Sequence, residues 1–107
     1  MTESGAGAGW QIAECLLPGL TATSAELLAG QIQAELAGRP GAGVCFLGAL
    51  LMTEDEVLLC LFRGPQKAVR AVSERAGLPF ERIVACQGLG WRPEPHAGGL
   101  GQLPQSP

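Results

Sequence analysis

The sequence predicts an α+β fold of element order βαββαβ. Four short, strongly apolar segments are bounded by turn residues, as strands are, and two segments with apolar residues at helical spacing lie between them. The clearest unit is Val57–Arg63, an apolar run followed by Gly64-Pro65, a dipeptide typical of a helix start. Val69, Val72 and Ala76 then recur at helical spacing. A similar strand and helix precede this unit, and a fourth strand follows it.

The first part of the chain predicts one strand and one helix. Residues 10–17 (WQIAECLL) are predicted as strand one, which the turn Pro18-Gly19 ends. Thr23, with Glu26 three residues later, forms the capping-box pattern of a helix start. The helix is predicted to end at Gly38. Its apolar residues recur every four positions along one face: Leu28, Ile32 and Leu36.

The second part predicts a hairpin, a helix and a last strand. Residues 44–52 form strand two, and the polar turn 53–56 leads into the apolar run already described, which is strand three. We expect Pro65 to occupy the first position of the second helix, and Gly77 to end that helix. Strand four is predicted over about residues 82–87.

These six elements predict a ferredoxin-like architecture, a four-stranded antiparallel sheet with two helices on one face. The right-handed crossover rule places strands one and three side by side at the centre. We expect the domain to cover residues 10–88. Residues 1–9 are small and are expected to form a flexible lead, and residues 89–107 are a Gly/Pro-rich tail that we expect to be disordered.

Strand three is apolar at both its odd-numbered and its even-numbered positions, so both faces of the sheet are expected to be apolar and to need a partner. One parity holds Val57, Leu59 and Leu61, and the other holds Leu58, Cys60 and Phe62. Two helices cover only one face of such a sheet, so the other face needs an apolar partner. We therefore expect a homodimer in which two sheets pack face to face as an α/β barrel. The alternative is that the tail folds back over the sheet.

Charge and hydropathy exclude two classes of partner. The formal net charge is −3, the isoelectric point is near 5.0, and no stripe of Lys or Arg is present to neutralise phosphates, so no nucleic-acid partner is expected. No apolar run approaches the roughly 20 residues that span a bilayer, so no membrane partner is expected. The N-terminal residues lack the basic start and apolar core of a secretory signal, which favours a cytoplasmic location.

Four cysteines, Cys15, Cys45, Cys60 and Cys86, each lie on a different predicted strand. No C-x-x-C pair is present, so neither a zinc knuckle nor a thioredoxin-type motif is expected. The first interpretation is that each thiol is a small buried hydrophobe that stays reduced in the cytosol. A thiolate metal site built across neighbouring strands is the alternative.

The candidate site residues lie on the predicted strands. Glu14 is the one carboxylate inside a strand, and a buried carboxylate needs an ion-pair partner or a raised pKa that suits acid/base work. Arg63, near the end of the neighbouring strand, is the expected partner. We assign candidate catalytic roles to Glu14 and Cys60. Phe46, Phe62 and Arg63 are assigned to ligand binding in an apolar pocket between the sheets, and no metal ligand is assigned.

The tail contains His96, the single imidazole of the chain, and Trp91. We expect His96 to be solvent-exposed, and without a core imidazole no Ser-His-Asp or Cys-His set can form on the sheet. Trp10 and Trp91 flank the predicted domain, where they are candidates to shield the second sheet face or to cover a pocket.

Several stretches resemble the family called domain of unknown function 4242. Residues 13–19 read AECLLPG, Cys60 lies within a strand of the expected type, and residues 75–79 read RAGLP before Arg82-Ile83. The resemblance extends over about residues 11–86, and AGLP-x-x-R-I is its most specific part.

This resemblance implies a small, dimeric, ferredoxin-like protein, with binding of nickel or another transition metal as one described activity. By position, Glu14 and Cys60 carry over from the family pattern. Residues 71–73 (AVS) stand where relatives often carry a His.

Three functions follow as hypotheses. The first is binding of a small apolar molecule between the sheets of a dimer, with acid/base chemistry of the isomerase or cyclase type as its catalytic form. The second is binding of a transition metal through thiolates and carboxylates. The third is a non-catalytic accessory protein with no ligand.

Overall fold

The structure is a computed structural model that describes residues 9–89, and it has the predicted element order. The predicted βαββαβ order and ferredoxin-like fold are confirmed. The elements are β1 (Trp10–Leu16), α1 (Ala22–Ala37), β2 (Cys45–Met52), β3 (Val57–Arg63), α2 (Gln66–Arg75) and β4 (Arg82–Cys86). Each strand starts and ends within one residue of its predicted bounds. Most of the predicted lead and tail lies outside the described residues, and so do Trp91 and His96.

The four strands form one sheet of order β2-β3-β1-β4, and every neighbouring pair is antiparallel. The predicted central position of β1 and β3 is therefore confirmed. Ala13 lies opposite Cys60 on one side and opposite Ile83 on the other. Strand β2 carries a β-bulge between Phe46 and Gly48, which shifts its register on β3.

Helix α1 begins two residues earlier than the sequence predicts. Thr21 is the N-cap, and its side-chain oxygen accepts a hydrogen bond of 3.1 Å from the backbone N–H of Ser24. The predicted cap at Thr23 is wrong, because Thr21 has the extended backbone that a cap requires and Thr23 already lies inside the helix. The predicted end at Gly38 is correct, since Gly38 is the C-cap.

Helix α2 is held between two turns. Pro65 is its N-cap, so the predicted placement of Pro65 inside the helix is wrong by one residue. Gly64, just before it, has φ of +149°, and a Cβ there would lie 2.7 Å from the carbonyl oxygen of Gly43. Only glycine fits this close approach of two loops. Gly77, with φ of +77°, ends the helix as predicted.

The hydrophobic core lies between the helices and one face of the sheet, which we call the helix face. Alternate strand residues point into it, and α1 and α2 cover them with Ile32 and Val69. Its buried strand residues are Ala13, Cys15, Leu58, Cys60, Phe62 and Ile83. Neither helix is long and apolar enough to cross a membrane within the described range.

Candidate functional site: the uncovered face of the sheet

The second face of the sheet, which we call the open face, has neither helix of residues 9–89 over it. Strand alternation places Val57, Leu59 and Leu61 on this face, and it places Leu58, Cys60 and Phe62 in the core. Leu58 is buried, whereas Leu59 keeps part of its surface exposed. The apolar residues of this face are Trp10, Ile12, Leu16, Leu50, Met52, Val57, Leu59, Leu61 and Val84.

Strand pairing arranges the open face in rows that run across the sheet. The end row contains Cys45, Arg63, Trp10 and Cys86. The second row contains Gly48, Leu61, Ile12 and Val84, and the third contains Leu50, Leu59, Glu14 and Arg82. The polar groups thus lie at one end and one side of an apolar surface.

A concavity of about 210 Å³ lies over the first three rows. Its lining is almost wholly apolar and consists of Trp10, Ile12, Leu50, Leu59, Leu61, Cys86, Gln87 and Gly88. Gln87 and Gly88 follow β4 directly, so the chain leaves the sheet along the rim of this concavity. Apolar walls with a few polar groups nearby are typical of small-molecule sites.

Glu14 is paired with Arg82, not with Arg63. The Nε of Arg82 donates to Oε1 of Glu14 at 2.7 Å, because the two residues lie opposite each other on β1 and β4. Arg63 lies opposite Trp10, four residues along β1 from Glu14, a distance of roughly 13 Å at the usual rise of a strand. The predicted Glu14–Arg63 pair is therefore wrong. The Glu14 side chain is 28% exposed, so it lies on the face without being enclosed.

Arg63 occupies the end row and is partly buried. Its Nη2 lies 3.8 Å from Sγ of Cys45, a weak contact across β2 and β3. None of the carboxylates in residues 9–89 forms an ion pair with Arg63. Of the two arginines on the open face, only Arg82 has its charge balanced within the described chain.

Cys60 lies on the helix face and is completely buried beside Cys15. The two thiols are within hydrogen-bonding reach of each other. The Cys15 thiol and burial together raise the pKa of Cys60 well above the ordinary thiol value of 9.0. A neutral, enclosed thiol is a poor nucleophile and metal ligand, so Cys60 acts as a core residue in this structure.

Phe46 and Phe62 also lie on the helix face. They are opposite each other on β2 and β3, with ring centroids 5.4 Å apart, and Phe62 is completely buried. The five predicted site residues therefore do not line one pocket. Glu14 and Arg63 are on the open face, and Cys60, Phe46 and Phe62 belong to the core. A cavity between facing sheets cannot reach the three core residues.

The described residues do not form a metal centre. Between residues 9 and 89, no group of three or more His, Cys, Asp or Glu side chains is close enough to hold a metal ion. Cys45 and Cys86 share the end row but lie on opposite edge strands. Three strand spacings of about 4.8 Å separate them, which is too far for one ion.

A larger groove of about 450 Å³ lies on the helix layer, between the end of α1 and α2. Its lining includes Gly38, Gly41, Ala68 and Ala71, with Arg39 and Arg75 at its rim. Arg39 is already paired with Glu35. This groove is lined mainly by glycine, alanine and two arginines and offers less apolar surface, so the smaller concavity on the open face is the better candidate site.

Sequence reasoning missed Arg82, Leu50 and Ile12 as residues of this site. Arg82 is the first residue of predicted strand four, and the predicted strand order could have identified it as a neighbour of Glu14. Strand four must flank strand one when strands one and three are central, so its first residue lies near Glu14. The role of Leu50 depends on the bulge in β2, which local sequence does not indicate.

Comparison with known proteins supports the architecture. No protein-family model and no curated protein matches the chain. The crystal structure of SCO4226 from Streptomyces coelicolor A3(2) is similar, with 28% sequence identity and a TM-score of 0.54. The match covers 69% of this chain and 90% of that one. The chain therefore shares its ferredoxin-like α+β fold with a solved bacterial protein.

Proposed function

We propose that this protein binds a small apolar molecule on the open face of its sheet, within a chamber closed by a second copy of the chain. The observation that carries the proposal is the apolar concavity over the first three rows. A solvent-facing side of an antiparallel sheet normally carries polar residues at alternate positions. Here those positions hold Leu59 and Leu61 on β3 and Ile12 on β1.

The size of the open face supports a second copy as its cover. Four strands about 4.8 Å apart and seven residues long at about 3.3 Å per residue give a projected area of roughly 450 Å². That area matches the largest apolar patches of typical monomers, about 300–600 Å², which are often functional. Two facing copies would bury about twice as much, close to the ~1,000 Å² expected of a biological interface.

The acidic charge of the open face is also compatible with a second copy, whereas Arg63 would face that copy without a partner from its own chain. Glu14 is the one carboxylate in the first three rows, and Arg82 of the same chain neutralises it. A second sheet can therefore approach without bringing two unpaired carboxylates together. Unpaired like charges across an interface would cost several kcal/mol.

The volume of the concavity is consistent with a ligand shared by two copies. A single concavity of about 210 Å³ is below the ~300–1,000 Å³ of usual small-molecule sites. Two concavities placed face to face enclose about 420 Å³, twice the single value, which is within that range. Each concavity is open to water in a single chain, and the facing sheet of the second copy would close it.

The mass of the purified protein in solution tests the first half of the proposal. Light scattering at micromolar concentration should give about 22 kDa, twice the 11.0 kDa of one chain. Calorimetric titration with a neutral aliphatic probe such as 1-octanol tests the second half. A monomer mass together with no heat of binding would leave the accessory-protein hypothesis as the better account.

Acid/base chemistry at this site would depend on Glu14, since Cys60 is enclosed in the core. Glu14 lies in the third row, beside Leu59 and at the edge of the concavity. A general base must come within hydrogen-bonding distance of the proton that it removes. Once a substrate is known, turnover by a Glu14→Gln variant will test this role.

The metal-binding hypothesis needs ligands that the described residues do not bring together. Elemental analysis of untagged protein tests it directly. Stoichiometric nickel, copper or zinc would overturn the apolar-ligand proposal, because such ions prefer thiolate and imidazole ligands and the described lining of the concavity offers only the thiol of Cys86.

A further inference from the structure

Among residues 9–89, Arg63 is the one charged side chain on the open face that has no ion-pair partner. It lies in the end row beside Trp10, which lines the concavity. Leu61, two residues earlier on the same face, is also part of that lining. One strand repeat of two residues is about 6.6 Å, so a group bound over Leu61 lies within reach of the Arg63 guanidinium.

Covering the open face changes the energetics of Arg63. In the single chain the Arg63 side chain is partly exposed, and its guanidinium makes a 3.8 Å contact to the sulfur of Cys45. A second sheet would remove water from the guanidinium, and the cost of desolvating an unpaired ion is several kcal/mol. Glu14 cannot supply the missing anion, because it is bound to Arg82 about 13 Å along the strand. The covered site therefore needs an anion from elsewhere.

We propose that Arg63 binds the carboxylate of an amphipathic ligand whose apolar part fills the concavity, so that the ligand class is a short-chain aliphatic carboxylate. The inference rests on the proposed function, since it assigns the head group of the same ligand. A guanidinium pairs with a carboxylate through two parallel N–H···O bonds, and such pairing fixes the orientation of the bound molecule. The apolar tail then points along β3 towards Leu59.

The capacity of the site limits the length of the tail. About 210 Å³ corresponds to roughly seven water volumes, and two facing concavities to roughly fourteen. A molecule with about ten non-hydrogen atoms fits between these limits. Octanoate is a suitable probe, and 1-octanol is its neutral analogue with the same chain length.

The test is calorimetric titration of the full-length protein with octanoate and with 1-octanol at neutral pH, where the carboxylic acid is ionised. Octanoate should bind at least about tenfold more tightly than 1-octanol, because a charged hydrogen bond contributes more than the about 1.4 kcal/mol that a tenfold change represents. Arg63→Gln should remove that preference through weaker octanoate binding, without weakening the binding of 1-octanol. Arg63→Lys should restore part of the preference, and added salt should weaken octanoate binding alone.

Lys67→Gln is the matched control. It removes the same unit of charge from an exposed position on α2, on the opposite side of the sheet. Its octanoate affinity should equal that of the wild type. A loss as large as that of Arg63→Gln would show that net charge, and not the site, sets the preference, and would overturn the inference.

The remaining outcomes separate this inference from the proposed function. Equal binding of both probes to wild type and to Arg63→Gln would overturn the carboxylate assignment while the apolar site stands. Absence of binding for both probes would overturn both. A monomeric Arg63→Gln protein that kept the preference for octanoate would also overturn the carboxylate assignment, because Arg63 would then pair with an acidic residue of the second copy.

Discussion

The exposure of Leu50 allows the proposed interface to be tested against a closely matched control. Leu50 on β2 is 66% exposed and lies on the open face, whereas Leu27 on α1 is 67% exposed and lies on the helix layer. Leu50→Glu and Leu27→Glu therefore make the same chemical change at equal exposure. Only Leu50→Glu should prevent dimer formation.

The expected magnitude follows from the surface that the dimer would hide. Full burial of a Leu side chain contributes about 1.5–3 kcal/mol, so covering the exposed two-thirds of Leu50 contributes about 1–2 kcal/mol in each copy. A symmetric dimer contains the residue twice, which gives about 2–4 kcal/mol. Burying two carboxylates against leucine adds several kcal/mol more. The dissociation constant should rise at least about a thousandfold, equivalent to about 4 kcal/mol.

Sedimentation equilibrium across the micromolar range measures this change. Wild type and Leu27→Glu should give the dimer mass, and Leu50→Glu should give about the 11.0 kDa of one chain. Circular dichroism should show the same helix and strand content for all three proteins, because neither leucine belongs to the core. A dimeric Leu50→Glu protein would refute the open-face interface. A monomeric wild type would refute the need for any second copy.

Three further predictions concern the fold and its charged groups. Gly64→Ala should lower the free energy of unfolding by more than about 1 kcal/mol, because Gly64 has a positive φ and a Cβ there would collide with Gly43. Gly30→Ala, inside α1, should raise the free energy of unfolding by about 0.5–1 kcal/mol. Thermal melts in which both variants shifted in the same direction would contradict this pair of predictions. Glu14→Gln should change the free energy of unfolding by less than about 1 kcal/mol in denaturant titrations, because its ion-pair partner Arg82 is 67% exposed. A larger loss would show that the pair contributes to stability as a buried ion pair does. Cys60 has a pKa raised above 9.0 in the fold, so the unfolded chain releases this proton first and stability falls as pH rises past 9. Between about pH 8 and 10 the loss through this thiol should be about 1.4 kcal/mol, and a Cys60→Ala variant that kept the whole dependence would contradict this cause.

Much of the fold could be predicted because its signals are local. Apolar runs and turn residues placed all four strands within one residue, and Gly38 and Gly77 marked the helix ends correctly. The predicted cap at Thr23 failed because Thr21 and Thr23 offer the same hydroxyl. The choice between them depends on where the chain leaves β1, which is a tertiary property.

The candidate site was predicted less well, because its composition depends on register. Leu58 and Leu59 have the same chemistry, and only the position of the helices decides which of them is buried. The same ambiguity led Cys60 and Phe62 to be grouped with Glu14 and Arg63. The sequence alone does not distinguish Arg63 from Arg82 as the partner of Glu14. Strand pairing does, because it places Arg82 opposite Glu14 and Arg63 opposite Trp10.

The bulge in β2 links the fold to the candidate site. Without the extra residue between Phe46 and Gly48, the alternation of β2 would place another side chain opposite Leu61 on the open face. Gly48 occupies that position instead, with φ of +139°, and a Cβ built there would have no atom within 4 Å. The space beside Leu61 and Leu50 is therefore open, and a second hollow of about 140 Å³ lies there next to the main concavity. The positive φ of Gly48 would strain any L side chain there, so the bulge itself keeps this position a glycine. The glycine leaves volume open at the β2 edge of the face, beside Leu61 and Leu50, and this volume adds to the space for a ligand.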